Sequence, residues 1–175
     1  MGVSEAKLTA TPEGLVPQSE GWFIVNAADA RGMRHEHFGQ AVRFEGEAEF
    51  PAFGVNVRRL EPGQPNCYYH RESNPEAFIV LEGECLAIVE EEERPMRKGD
   101  FLYTPTGTAH VIVGAGDGPC AILMVGARAE RETVEYPVSE VARRHRAGVD
   151  ETTDSAAEGY GALARPEPAQ LRLSW

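Results

Sequence analysis

Between residues 53 and 127 the sequence breaks into short apolar runs, each closed by a turn signal, and this spacing leaves few folds open. FGVNVRRL (53–60) ends at PGQPN, CYYHRE (67–72) at SNP, and AFIVLE (77–82) at Gly83. CLAIVE (85–90) runs into EEERPMRKGD, FLYTP ends at the turn PTGT, AHVIVG leads into GAGDGP, and CAILMVGAR closes the series. That makes about seven strands in roughly 75 residues, each near the usual five or six residues. Even spacing with glycine and proline punctuation predicts an all-β antiparallel sandwich or barrel.

The flanks read differently. Residues 1–20 are polar, carry Pro12 and Pro17, and show no periodicity, so a flexible N-terminal arm is expected there. WFIVNA (22–27) reads as a short strand, and 28–50 has no clear order. The β-domain is assigned to 21–136. From 137 to 175 the expectation is a short helix over 138–148, started at Ser139 and closed by Gly148, followed by a tail. The terminal LRLSW is expected to dock on the barrel or on a neighbouring subunit.

Composition narrows the partners. A net charge of −11 disfavours nucleic acid and anionic membranes, which are themselves polyanions. The 3 cysteines, Cys67, Cys85 and Cys120, are widely spaced, so they suggest no disulfide framework and fit a reducing cytoplasm. Cys85 and Cys120 read as small core residues. No signal peptide and no membrane span is visible, so a cytoplasmic location is expected.

The chemistry concentrates between 68 and 83. His70 and Glu72 are two residues apart in an extended run and so share a face. The turn Ser73-Asn74-Pro75 reverses the chain, so that Glu76 can lie beside them if the two runs pair. His110 follows the Pro105–Gly107 turn and adds a second imidazole. Two imidazoles and two carboxylates suit a divalent transition metal, whereas the acids alone inside a barrel would be costly. Histidines that only pack or bind substrate are the competing reading. His35-Glu36-His37 lacks any downstream acid and glycine in register and reads as a surface loop. His145 reads as part of a solvated face, and Glu90–Glu93 as a charged hairpin tip.

These residues resemble the two motifs of the cupin superfamily. The first is matched by Gly63, His70, Glu72, Glu76 and Gly83, and the second by Gly99, Pro105, Gly107 and His110. Three positions depart: the gap from Gly63 to His70 is longer by one, Glu72 replaces the second histidine, and Gly114 replaces the final asparagine. The resemblance implies a double-stranded β-helix, a small jelly-roll barrel with its core motifs at 63–114. It implies His70, Glu76 and His110 as metal ligands, Glu72 as the occupant of a ligand position, and a homodimer.

The expected metal is Mn, Fe, Ni or Zn. Glu72 is a candidate general base if it does not ligate, and Tyr103 a candidate proton donor. Tyr68, Phe78, Tyr103 and Ile112 are candidates for a substrate pocket, with core packing as their alternative. Three functions stay open: a metal-dependent enzyme (dioxygenase, decarboxylase or isomerase) acting on a small oxygen-rich or anionic substrate, a non-catalytic binding cupin, and a metal-free epimerase-like isomerase using His70 as base.

Overall fold

A computed structural model describes residues 2–161 and 163–170 of the chain. The first strands are β1 (Leu8–Thr11), β2 (Gly14–Pro17), β3 (Gly32–His35), β4 (Gly39–Arg43) and β5 (Phe53–Leu60). There follow β6 (Arg71–Glu72), β7 (Glu76–Glu82), β8 (Glu84–Val89), β9 (Glu92–Arg97) and β10 (Phe101–Thr104). The last elements are β11 (His110–Ala115), β12 (Cys120–Ala127), β13 (Val134–Glu135), α1 (Glu140–Arg144), α2 (Ala156–Tyr160) and β14 (Glu167–Pro168).

Two sheets make the barrel. The larger runs β10-β7-β12-β5-β4-β3-β14 and the smaller β11-β8-β9, with every named pairing antiparallel. Their facing sides close on one cluster: Leu60, Phe78, Val80 and Ile122 from the large sheet meet Cys85, Ala87, Met96 and Ile112 from the small one. This is the double-stranded β-helix arrangement that the resemblance implies, and it meets the antiparallel sandwich or barrel expected of the strand spacing. Burying each large side chain of this cluster contributes about 1.5–3 kcal/mol.

The strands are apolar on both sides because both sheets are covered on the outside too. In β11, His110, Ile112 and Gly114 alternate with Val111 and Val113. Ile112 lies in the inner cluster, whereas Val111 and Val113 pack with Tyr69, Ile88, Ala142 and Ala147 beneath the α1 segment. The large sheet is covered likewise, where Ala30, Val42 and Val57 pack against Val25, Phe44, Leu81 and Leu123.

Two glycines of the motif region are fixed by close approach. Gly83 has φ +71°, and a Cβ there would lie 2.4 Å from Pro119 O. At Gly114 a Cβ would meet Glu61 O at 2.3 Å, so the replacement of the motif's asparagine leaves no room for a side chain.

Several expectations change. Residues 8–17, expected within a flexible arm, form the β1–β2 hairpin, and Ala6 and Val16 are buried. The expected strand at 22–27 is absent; Trp22 makes only a bridge to Glu5. The helix over 138–148 is shorter than its pattern. Ser139 Oγ accepts from Ala142 N at 3.0 Å to start it, but Arg146, at φ +59°, ends it before Gly148. The tail folds back: Tyr160 reaches the barrel, and β14 extends the large sheet by pairing with β3. LRLSW lies outside the described residues.

Candidate metal centre

His70 and His110 are brought together by direct pairing. They form an antiparallel bridge in which His70 N donates to His110 O at 3.1 Å and His110 N to His70 O at 2.8 Å. The expected hairpin between the His70 run and Glu76 does not form. Ser73-Asn74-Pro75 instead carries the chain across to the large sheet, where Glu76 pairs with Thr104 and Gly126. The acid therefore approaches the two histidines from another sheet.

Each imidazole is oriented by its outer nitrogen. His70 Nδ1 donates to Tyr68 O at 2.8 Å, and His110 Nδ1 to Thr108 O at 2.9 Å. Both Nε2 atoms are thereby turned to the same point, which is how a ligating imidazole is held. One ligand atom from each of His70, Glu76 and His110 lies within 4.8 Å of the others. Glu76 Oε2 is 2.9 Å from His110 Nε2 and 3.7 Å from His70 Nε2.

The donor set fits a divalent ion. Glu76 Oε2 and His110 Nε2 are both buried and lack a hydrogen-bond partner, although they stand close together, because their approach does not have hydrogen-bond geometry. Two buried orphan lone pairs aimed at one point are costly in an apolar barrel and are satisfied together by a cation. Imidazole with carboxylate suits several first-row metals.

Glu72 stands at the edge of this group. Its Oε1 is 3.3 Å from His70 Nε2, and its side chain is 35% exposed, against 13% for Glu76. It is not one of the three convergent groups. The hydrogen bond from His70 holds its carboxyl below the usual range, outweighing the opposing effect of burial. His70 responds in the other direction. Burial opposes its charge, but Cys67, Glu72 and Glu76 around it outweigh that and hold its pKa well above that of an ordinary histidine.

The four candidate pocket residues separate. Phe78 sits edge-on to His110 with ring centroids 5.3 Å apart and, like Ile112, is closed in the core beneath the centre. Tyr103 is corrected as both donor and pocket residue: it is 57% exposed, because Thr104 and Leu102 take the inward positions of β10 and Tyr103 alternates outward. Tyr68 gives the centre its carbonyl only. Its ring packs instead with Phe38 and Tyr160, since residues 67–70 are not a regular strand.

The His35–His37 segment stays outside the centre but is more than a surface loop. His35 is buried and its Nε2 lies 2.8 Å from Ala164 O, while His37 Nε2 is 2.8 Å from Arg146 O. His145 pairs with Glu93 at 2.8 Å. Glu90 and Glu91 form the expected hairpin tip, both at positive φ.

Three neighbours of the centre carried no sequence signal. Cys67 Sγ is 3.5 Å from His70 Nδ1. The Tyr136 ring lies 5.9 Å from that of His70 and meets the Tyr160 ring edge-on at 5.5 Å. Burial pushes the phenols of Tyr136 and Tyr160 up. Neither tyrosine lies in a periodic run or a motif.

Residues 56–126 match the family model for the cupin domain. These residues form a cupin domain. Among solved cupin structures, a sugar phosphate isomerase of Silicibacter pomeroyi is 26% identical; the match covers 64% of this chain and 80% of that one, with a TM-score of 0.57. A protein of Acidithiobacillus ferrooxidans, provisionally assigned as a sugar phosphate isomerase, is 31% identical over 49% of this chain and 56% of that one, with a TM-score of 0.47. The chain thus spans little more than half the length of that relative. A predicted oxalate decarboxylase of Thermotoga maritima shares the fold at 18% identity and a TM-score of 0.54, over 61% of this chain and 100% of that one. No curated protein sequence matches the chain. Among the described residues no helix is long and apolar enough to cross a membrane.

Proposed function

We propose that this cupin is a metal-dependent enzyme acting on a small oxygen-rich or anionic substrate, with one divalent ion held by His70, Glu76 and His110. The observation that carries this reading is the buried, partnerless pair Glu76 Oε2 and His110 Nε2, aimed at the same point as His70 Nε2. A bound Mn, Fe, Ni or Zn would supply Lewis acidity toward substrate oxygens. Glu72 is the proton-handling group: it is ionised at neutral pH, partly exposed, and adjacent to the ligand set. Phe78 and Ile112 exclude water from beneath the centre. The likeness to the Silicibacter pomeroyi protein makes isomerisation of a sugar phosphate the first reaction class to assay. A cytoplasmic location and a homodimer belong to the same reading, and a monomer of 19.1 kDa in solution would remove the dimer.

The test is elemental analysis of protein purified without an affinity metal. Near-stoichiometric transition metal in the wild type, lost in His110→Ala, upholds the proposal. An intact fold that takes up none of these metals overturns it. The contact of Glu72 with His70 would then favour a metal-free isomerase in which the two form an acid–base pair.

A further inference from the structure

The large sheet carries a second set of buried, partnerless polar atoms that the metal centre does not use. In β5, Asn56, Arg58 and Leu60 share one face, and Leu60 lies in the core between the sheets, so this face points into the barrel. Asn56 Oδ1 and Arg58 Nε are both buried without a hydrogen-bond partner. Among the described residues Arg58 donates one long bond, from Nη1 to Phe38 O at 3.4 Å. No carboxylate pairs with it among the described residues, and burial pushes its pKa down. A guanidinium has five donors and stays charged in proteins, so a buried one with no acid among its described neighbours is an unmet demand for an anion.

Arg58 faces a cavity of about 520 Å³ between the barrel and the C-terminal segment. Its described walls include His35, Asn66, Cys67, Tyr160 and Arg165, and no aspartate or glutamate. That is a strong departure for a chain with 28 acidic residues and a net charge of −11. The cavity lies behind the His70 ring: Cys67 Sγ is 3.5 Å from Nδ1, its outer nitrogen, and Tyr160 touches Tyr136, which packs on His70.

We propose that this cavity is an oxyanion subsite in which Arg58 binds a phosphate or carboxylate group of the substrate, with Tyr160 and the C-terminal segment as its wall. The inference rests on the reading of the barrel as an enzyme for small anionic substrates, and it names the residue that selects the anion. Phosphate and carboxylate both match the planar fork of a guanidinium.

Calorimetric titration of the full chain tests it, with inorganic phosphate and oxalate as probes and glucose as a neutral control, in metal-free and Mn-loaded protein. Binding of at least one anion and not of glucose, weakened roughly 30-fold or more in Arg58→Met, is expected. Tighter phosphate points to a phosphoester substrate and tighter oxalate to a carboxylate; either upholds the subsite. If neither anion binds the wild type, or Arg58→Met binds as well as wild type, the proposal fails. Should Arg58→Met not fold, Arg58→Lys replaces it: a loss of about 5-fold or more is expected from the missing fork, and unchanged affinity overturns the proposal. Metal content, measured on the same samples, separates the two readings. Bound metal without anion binding overturns the subsite alone, whereas Arg58-dependent anion binding in protein that takes no metal removes the metal and leaves the subsite.

Discussion

His70 and His110 are bonded to each other through both backbone amides, so the same bridge that joins the end of β11 to the run before β6 also sets the spacing of their rings, 4.9 Å apart. The spacing of these two candidate ligands is therefore a property of the backbone pairing, and the side chains need only their Nδ1 anchors to turn both Nε2 atoms inward. Removing a ring leaves the bridge intact. His110→Ala and His70→Ala should keep the fold and weaken metal binding by more than about 100-fold, measured by competition with a chelating dye.

Glu72 and Glu76 should separate in their effects. Glu76→Gln removes a converging ligand and should cost most of the metal. Glu72→Gln should leave the metal content within about 10-fold and lower turnover by roughly 10²–10⁴-fold if Glu72 handles the proton. Loss of metal in Glu72→Gln would make it a ligand instead.

Metal affinity should rise with pH. The folded protein holds the His70 pKa above its ordinary value, so a proton must leave before Nε2 can coordinate. Affinity should climb by about one log unit per pH unit through neutral pH and level off above the folded pKa. The metal-free protein has the opposite trend. Protonated His70 between Glu72 and Glu76 contributes stability that is fully present below the ordinary histidine pKa and is lost as pH rises through the raised one. Thermal melts with and without metal across pH 6–9 should diverge; parallel curves would count against the arrangement.

A second pH effect acts at low pH and away from the centre. Glu45 is gripped by both terminal nitrogens of Arg128, at 2.5 and 3.0 Å, and accepts from Phe50 N at 2.6 Å. Burial opposes its charge, but Arg128 and the Phe50 amide outweigh that and lower its pKa. The stabilisation is present above the unfolded carboxylate pKa and is lost as pH falls through the lower folded value. Glu45→Gln should cost about 1–2 kcal/mol at neutral pH in urea unfolding and flatten the acid limb of the profile.

The cap of α1 is a further local test. Ser139 Oγ accepts from Ala142 N at 3.0 Å and donates to Glu91 Oε2 at 3.0 Å, tying the helix to the β8–β9 hairpin. Ser139→Ala should destabilise by about 1 kcal/mol without changing metal content.

The linear chain was enough to read an all-β barrel and to pick out His70, Glu76 and His110 as a group. Alternating strands with glycine and proline turns admit few closed folds, and the spacing of His70, Glu76 and His110 against Gly83, Pro105 and Gly107 is local, set by turn lengths that a reader can count. Whatever depends on which strands pair is visible only in three dimensions. Glu76 reaches the histidines from the other sheet, not across a hairpin. Tyr103 points outward because β10 pairs with β7 in the register that turns Thr104 inward. Tyr136, Tyr160 and Arg58 come to the centre or its margin from segments that carry no shared period with it. Their roles arise from burial and from the partners they lack, and those are properties of three-dimensional packing that no one-dimensional pattern encodes.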